Sequence, residues 1–190
     1  AIINYDLTVS QMDSEKTAKI FQEAEEYNTQ LAELDFPLSE YNKIPGYEQK
    51  LDIMGNGMMG YIYIDKIKVQ LPIYHGTSDS VLDIATGHIQ GSSLPVGGLT
   101  THCVLSSHRG LPSAKLFTDL DEIQEGDTFK LTVLDRVCTY QVDQIRIVEP
   151  YDTSDLVIEE GQDYCTLITC TPYGINTHRL LVRGHRVIDN

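Results

Sequence analysis

From Met59 onward, the sequence is a series of short β-patterned runs with little helical periodicity between them. The run YIYIDKIKVQLPIYHG alternates apolar and polar residues and turns near Asp65 and Lys66, which is typical of paired strands. Further runs of this type are THCVLSSHRG, DTFKLTVLD, VCTYQVDQIRIVEP, YCTLITC and HRLLVRGHRVI. Strands at this spacing with few helices predict a closed or nearly closed β-barrel.

The region before the barrel has a different pattern. Residues 1–9 predict no element, whereas apolar residues from Ser10 to about Leu34 recur at three and four spacing and predict one amphipathic helix, capped by Asp13 or Ser14. Residues 35–58 are interrupted by prolines and glycines, which predicts an irregular segment. We therefore divide the chain into an N-terminal helical and lid-like region, residues 1–58, and a barrel domain, residues 59–190.

Composition excludes some classes of function. The formal net charge of −14 and the pI near 4.6 argue against a general nucleic-acid binder, which needs basic surface for phosphates. No apolar run approaches the ~20 residues of a membrane span, and the first residues have no signal-peptide pattern. We therefore expect a soluble domain in mature or trimmed form.

The stretch DYCTLITCTPYGINTHRLLVRGHR, from Asp163 to Arg186, contains the candidate functional site. Two apolar runs flank a joint that holds proline, glycine and asparagine, so the chain is expected to return as a hairpin. This return would bring Cys170, at the end of the first run, close to Arg179, at the start of the second. His108 also ends an apolar strand and precedes a turn, so it is the best candidate for a base among six histidines.

A thiol, an imidazole and a guanidinium together suit nucleophilic catalysis. The thiol becomes a nucleophile when a base is near, and arginine can stabilise an oxyanion or hold a substrate carbonyl. The simpler alternative is a buried cysteine, a surface histidine and a salt-bridged arginine. The four cysteines are expected to be free thiols, because Cys165 and Cys170 point to opposite faces of one strand and Cys103 and Cys138 belong to separate apolar runs.

A metal site is the competing interpretation of the same atoms. It would use His102, Cys103, His108, Cys165 and Cys170, but their spacings match no zinc signature. We expect no metal and no cofactor.

Several of these motifs together resemble the motifs of one enzyme family. TLITCTPYGINTHRLLVRGHR resembles the sortase signature, in which a Thr-Leu-x-Thr-Cys segment is followed nine residues later by an essential arginine. LSSHRGLPSAKLFTDLD resembles the segment that carries the family's histidine, and GYIYIDKIKVQLPIYHGT and GHIQGSSLPVGG resemble the class C, or pilus-assembling, branch. The resemblance extends from roughly Asn56 to Arg186.

This resemblance implies an eight-stranded sortase-type β-barrel, mainly β with an N-terminal helix, and a cysteine transpeptidase. Cys170 would be the nucleophile, His108 the general acid/base and Arg179 the stabiliser of the oxyanion or substrate. Such an enzyme cleaves a Leu-Pro-x-Thr-Gly-like sorting signal between threonine and glycine through a thioester. It then joins pilin subunits through a lysine isopeptide bond, and it hydrolyses peptide when no acceptor is present.

The implied partners are pilin subunits with sorting signals and an acceptor lysine, and no nucleic acid. The implied location is the extracellular face of a Gram-positive cell membrane, reached through an anchor outside this sequence. A class A-like housekeeping sortase and a non-enzymatic surface β-domain are the alternatives. A papain-like hydrolase is disfavoured, because its cysteine precedes its histidine and lies at a helix N-terminus.

Class C sortases resemble one another in a further feature, an N-terminal lid built on an Asp-Pro-aromatic triplet. The acid contacts the arginine, and the ring shields the thiol. The nearest match here is Asp35-Phe36-Pro37, in which the aromatic residue and the proline are exchanged. Because the proline now fixes φ at a different position, we expect Asp35 and Phe36 to form a lid that is displaced, differently anchored or absent.

Overall fold

The computed structural model describes residues 1–109 and 115–188, and within these ranges eight strands close into a barrel. The strands are β1 Met58–Ile64, β2 Val69–His75, β3 Thr86–His88, β4 Thr101–Ser106, β5 Thr128–Val133, β6 Arg136–Val148, β7 Asp163–Thr171 and β8 His178–Val187. Their order around the barrel is β1-β2-β3-β4-β7-β8-β6-β5, and β5 pairs with β1 to complete the circle. The fold class predicted from the sequence is confirmed.

Helices precede and interrupt the barrel. The α-helices are α1 Ile2–Ser10, α2 Ser14–Ala32, α3 Pro37–Glu40 and α4 Asp79–Leu82. Single 3₁₀ turns lie at Tyr41–Lys43, Tyr47–Gln49, Asp65–Ile67, Leu120–Glu122 and Ser154–Leu156. The turn at Asp65–Ile67 joins β1 to β2 where the alternating pattern predicted it. None of the helices in the described ranges is long and apolar enough to cross a bilayer.

Strand β7 is buried on both faces. Along β7, Cys165 and Leu167 belong to the main cluster inside the barrel, whereas Ile168 belongs to a smaller cluster outside it. This outer cluster consists of Val104, Leu156, Ile168 and Leu181, with Leu38, Ile89 and Val148 packed against it. Because successive side chains alternate across a strand, one face of β7 fills the barrel and the other forms the floor of an external groove.

The N-terminal region differs from the prediction of one helix from Ser10 to Leu34. Two helices form, because the Asp13 carboxylate accepts a hydrogen bond from the Lys16 amide and starts α2 there. Of the two predicted caps, Asp13 is therefore confirmed and Ser14 is the first residue of the helix. The helix begins later than predicted, and α1 precedes it. Tyr5 explains α1, since its fully buried hydroxyl donates to the Met59 carbonyl at 3.0 Å and accepts from the Leu134 amide at 2.8 Å.

Polar side chains fasten the N-terminal region to the barrel. Asn28 on α2 is buried and makes two bonds to Leu94, accepting from its amide at 2.7 Å and donating to its carbonyl at 3.3 Å. The Tyr47 hydroxyl lies 2.7 Å from Nδ1 of the buried His88. Around these bonds, the buried face of α2 joins the same apolar cluster as the barrel interior. The helices and the barrel thus share one core.

Replacing Asn28 by alanine removes both bonds and leaves the Leu94 amide and carbonyl buried without these partners. We expect the free energy of unfolding to fall by about 1–3 kcal/mol, measured by urea denaturation. Gln30→Ala is the matched control, because it also deletes an amide from α2 but at an exposed position, and should change stability by less than about 0.5 kcal/mol. Equal losses for the two variants would contradict this account.

Candidate active site

Cys170 and Arg179 lie directly opposite each other in the antiparallel pair formed by β7 and β8. Side chains of directly opposed residues project from the same face of a sheet, so the thiol and the guanidinium are neighbours. The loop between the strands includes Gly174 and Asn176, both at positive φ, which suits the residue types found there. The hairpin predicted from the sequence is therefore present.

The backbone register on the other flank of β7 points to His108 as the neighbour of Cys170. β4 and β7 are parallel, with Ser106 opposite Ile168. The pairing continues beyond β4, because the Ser107 amide donates to the Ile168 carbonyl at 3.2 Å and the Thr169 hydroxyl donates to the Ser107 carbonyl at 3.0 Å. Two residues beyond the pair Ser106–Ile168, this register brings His108 level with Cys170.

The same register assigns the three side chains to one side of the sheet. His108 shares its parity with Val104 on β4, Cys170 with Ile168 on β7, and Arg179 with Leu181 on β8, and all of these partners belong to the outer cluster. The candidate site is therefore on the outside of the barrel. A groove of about 360 Å³ runs over this face, and its lining includes Leu38, Leu82, Ile89, Ser106, Val148, Leu156, Ile168, Arg179 and Leu181.

Cys170 differs from the other cysteines in its surroundings. All four are free thiols, as predicted, but Cys103, Cys138 and Cys165 are buried, whereas Cys170 is half-buried. Burial raises the pKa of Cys138, and burial together with a hydrogen bond to Cys103 raises the pKa of Cys165 well above its usual range. Since the thiolate is the nucleophilic form, the raised pKa makes Cys138 and Cys165 poor nucleophiles, and burial keeps Cys103 from reagents. Cys170 is the accessible thiol of the four.

Arg179 carries a charge that no carboxylate neutralises within residues 1–109 and 115–188. Its Nη1 donates to the carbonyls of Asn176 at 3.2 Å and His178 at 3.0 Å, which hold the guanidinium at the end of the β7–β8 loop. The remaining donors of its fork stay available for an incoming oxygen. This arrangement suits the stabilisation of an oxyanion.

His108 is half-buried, and its Nε2 faces two carboxylates. Asp83 Oδ1 is 3.3 Å away, and Asp79 Oδ1 is 3.8 Å away. Neither acid was singled out from the sequence, where nothing distinguishes them from the many other acidic residues of the chain.

Arg109 is a further residue that the sequence did not assign to the site. Its side chain is 6% exposed and pairs with Asp121 at 2.8 Å. It also donates to the Thr118 carbonyl at 3.0 Å and, at the end of β7, to the Cys170 carbonyl at 3.4 Å and the Thr171 hydroxyl at 3.3 Å. Arg109 thus braces the backbone that carries the thiol, while its sequence neighbour His108 turns to the outer face. The sequence signal that could have indicated Arg109 is its position directly after His108.

The possible lid residues lie over a neighbouring groove. Asp35 and Phe36 line a cavity of about 360 Å³ that meets the first groove at Leu38 and Leu156. Phe36 is 70% exposed, and in the part of the chain that the structure describes Asp35 forms no hydrogen bond or ion pair with Arg179. Leu38, two residues beyond Phe36, is the residue of this segment that reaches the Arg179 groove. The role of Asp35 and Phe36 as a lid stays a prediction.

The residues of the competing metal interpretation have other partners. Both ring nitrogens of His102 are engaged, with Nδ1 2.9 Å from the Val157 carbonyl and Nε2 2.6 Å from the Thr166 hydroxyl. Burial lowers the pKa of His102, so the ring is held neutral. Within the described ranges, no three histidine, cysteine or acidic side chains are grouped to hold a metal ion.

Comparison with known proteins gives consistent matches. A family model described as a sortase domain matches residues 62–187. The crystal structure of sortase C1 from Streptococcus agalactiae is 50% identical, with a TM-score of 0.93, and the match covers 100% of this chain and 98% of that one. A Streptococcus pneumoniae sortase C, whose structure addresses catalysis and pilin substrate specificity, is 43% identical with a TM-score of 0.88 over 99% of this chain and 96% of that one.

A match to a curated protein is more distant. Sortase D of Bacillus subtilis is 30% identical over 131 residues, which are 67% of this chain and 63% of that protein. The chain therefore spans less than two thirds of this relative's length.

The exposure of the cysteines predicts selective labelling. In the folded protein, one thiol should react rapidly with a reagent such as iodoacetamide, and peptide mapping should locate it at Cys170. All four should react after unfolding in urea, and Cys170→Ala should remove the rapid phase alone. Labelling of Cys103, Cys138 or Cys165 at the same rate in the native state would contradict the burial described above.

Proposed function

The chain belongs to the sortase family, whose members are cysteine transpeptidases, and from that premise we propose that it assembles pilin subunits. It cleaves a Leu-Pro-x-Thr-Gly-like sorting signal between threonine and glycine and transfers the threonine to a lysine amine. The observation that supports this proposal best is the register of three adjacent strands. It lines up His108, Cys170 and Arg179 on one outer face, beside a groove with an apolar floor.

The first half of the reaction forms a thioester. His108 takes the proton of the Cys170 thiol, and the sulfur attacks the carbonyl carbon of the threonine. The carbonyl electrons move to the oxygen, where the free donors of Arg179 stabilise the negative charge. As the tetrahedral intermediate collapses, the carbon–nitrogen bond breaks and His108 returns its proton to the departing glycine amine.

The second half transfers the acyl group. A lysine amine attacks the thioester carbon, His108 accepts a proton from the nitrogen, and the Cys170 sulfur leaves and is reprotonated. The product is an isopeptide bond between two subunits. Water can attack instead when no amine is present, which gives hydrolysis of the signal peptide.

The apolar lining of the groove supports the proposal that the substrate is a signal beginning with leucine and proline. Its floor carries Ile168 and Leu181 from the strands, with Leu156 and Val148 at the side. These side chains offer an apolar surface to a short extended peptide, while Arg179 at one end fixes the position of the reacting carbonyl. A peptide lying there would bury its apolar residues against the outer cluster.

Similarity to solved sortase C structures supports the pilin class of substrate. The two streptococcal enzymes cover nearly the whole of this chain at 50% and 43% identity. By the same argument we propose that the enzyme acts at the extracellular face of a Gram-positive cell membrane, held by an anchor segment outside this sequence. Its partners are pilins that carry a sorting signal and an acceptor lysine.

Single substitutions separate the three roles. With a sorting-signal peptide, Cys170→Ala should abolish the covalent adduct seen by intact-protein mass spectrometry, because the attacking sulfur is gone. Arg179→Ala should lower kcat by about 10²–10³-fold by removing a donor from the oxyanion, and Arg179→Lys should restore little of it. His108→Ala should lower kcat by about 10²–10⁴-fold.

The choice of acceptor tests the pilin proposal itself. A lysine-bearing peptide should convert the thioester to an isopeptide product, identified by tandem mass spectrometry. If the wild-type protein gives only hydrolysis with this acceptor, or transfers only to glycine peptides, pilin assembly is wrong and the housekeeping alternative gains. If no adduct forms on Cys170, the chain is not a transpeptidase for this signal.

We also propose that the segment from Asp35 to Leu38 covers the site as a lid. The packing of Leu38 against the outer cluster supports this role, since it brings α3 against the groove that Arg179 lines. Asp35 and Phe36 precede it and lie over the adjoining cavity. In this proposal, the segment limits the access of a peptide to the groove.

If this segment limits access, the Asp35→Ala/Phe36→Ala double variant should label faster at Cys170 and hydrolyse short signal peptides faster than wild type. Leu38→Ala should do the same, because it removes the side chain that contacts the groove. Glu33→Ala, an exposed change on the preceding turn, is the matched control and should leave both rates unchanged. Unaltered labelling in all variants would mean that the segment is no lid.

A further inference from the structure

The segment that follows α4 is held against the backbone of His108. The His108 amide donates to the Leu82 carbonyl at 3.4 Å, and the Ser107 hydroxyl donates to the Ala85 carbonyl at 2.8 Å. The short strand β3 then continues alongside β4, with Gly87 opposite Ser106. These contacts fix the position of Asp83, between Leu82 and Ala85, relative to the imidazole.

Two carboxylates of this segment face the same ring nitrogen. Asp79 and Asp83 are four residues apart, which places both on one side of the helical turn. Their Oδ1 atoms lie 3.8 Å and 3.3 Å from Nε2 of His108. Within residues 1–109 and 115–188, no other charged side chain pairs with this ring.

The two arginines near the site direct their guanidinium groups elsewhere. Arg109 turns its guanidinium to Asp121 and the end of β7, and Arg179 turns part of its fork to the carbonyls of the β7–β8 loop. Cys170 lies level with His108 on β7. Carboxylates therefore lie on the Nε2 side of the imidazole. The strand register places the thiol next to the same ring.

We propose that Asp83, with Asp79 as a weaker partner, is the positioning residue of the general acid/base. A neutral imidazole carries its hydrogen on one nitrogen only, and a carboxylate beside Nε2 selects the form with the hydrogen there. Nδ1 is then the unprotonated nitrogen, which accepts the proton of the Cys170 thiol. This inference rests on the proposed role of His108.

The carboxylate also assists when His108 gains its second proton. The imidazolium formed during attack has its Nε2 3.3 Å from the Asp83 carboxylate, whose negative charge stabilises it and keeps the ring from turning before the proton is returned. Asp79 is 95% exposed and Asp83 is 53% exposed, so solvent screens the ion pair. The contribution of Asp83 is therefore mainly orientation of the ring, and its loss should affect kcat more than KM.

The test uses Asp83→Ala and Asp79→Ala/Asp83→Ala in the full chain, with ¹⁵N-labelled histidine. Long-range ¹⁵N–¹H spectra of the neutral wild-type ring should show the hydrogen on Nε2 of His108, and the variants should shift the population toward Nδ1. With the sorting-signal peptide, kcat should fall by about tenfold or more at unchanged KM, a smaller loss than that seen when a buried acid of a triad is replaced. Asp83→Glu should restore part of the rate.

Asp135→Asn is the charge-matched control. It removes a negative charge from the turn before β6, whose opposite end lies beside Arg179, and should leave the tautomer and kcat unchanged. Unchanged melting of the Asp83 variants would exclude a loss of fold, and should one fail to fold, the milder Asp83→Asn takes its place.

The outcomes of the spectra and the kinetics are separable. If the tautomer of His108 and kcat are the same in wild type and in both alanine variants, the positioning role is wrong, even though the enzyme is a transpeptidase. If kcat falls in the variants while the tautomer stays unchanged, the orientation mechanism is also overturned. If wild type forms no thioester, the proposed function fails, and the spectra alone decide whether Asp83 orients the ring.

Discussion

The candidate site depends on the pairing of β7 with two neighbours, β4 in parallel and β8 in antiparallel orientation. Hydrogen bonding between backbones fixes both registers, so the side chains that end the strands are aligned without long-range side-chain contacts. A slip by one residue in either pairing would move His108 or Arg179 to the barrel interior. The chemistry of the site is therefore as well defined as the sheet itself.

The sheet can hold this register because β4, β7 and β8 are buried on both faces. Inside the barrel, residues such as Cys165 and Leu167 fill the core, and outside it Ile168 and Leu181 pack beneath Leu38 and Leu156. The outer layer has two effects. It protects the strands that carry the site, and it supplies an apolar floor on which a peptide can lie.

The N-terminal region is coupled to the barrel at β3 and in the segment between β3 and β4. Asn28 binds both backbone groups of Leu94, and Tyr47 reaches His88 at the end of β3, so the segment between them, which includes α3, is tied at both ends. Within this segment α3 has no buried residue and Phe36 is exposed, whereas Leu38 packs against the outer cluster. Charged side chains of opposite sign lie on different sides of the thiol. Carboxylates lie beside His108, and guanidinium groups lie beside the end of β7.

Local pattern in the sequence determined the barrel class, the cap at Asp13, the hairpin that joins Cys170 to Arg179 and the opposite directions of Cys165 and Cys170. These features follow from the two-residue period of strands and from turn chemistry, which act over a few residues. The closing order of the strands, the level position of His108 and the partners of Arg109 were decided by the tertiary structure. They arise from pairing between segments about 60 residues apart, which no local period encodes. Long-range contacts also explain α1, because Tyr5 is buried against Met59 and Leu134. Asp83 is a neighbour of His108 because α4 packs against the end of β4.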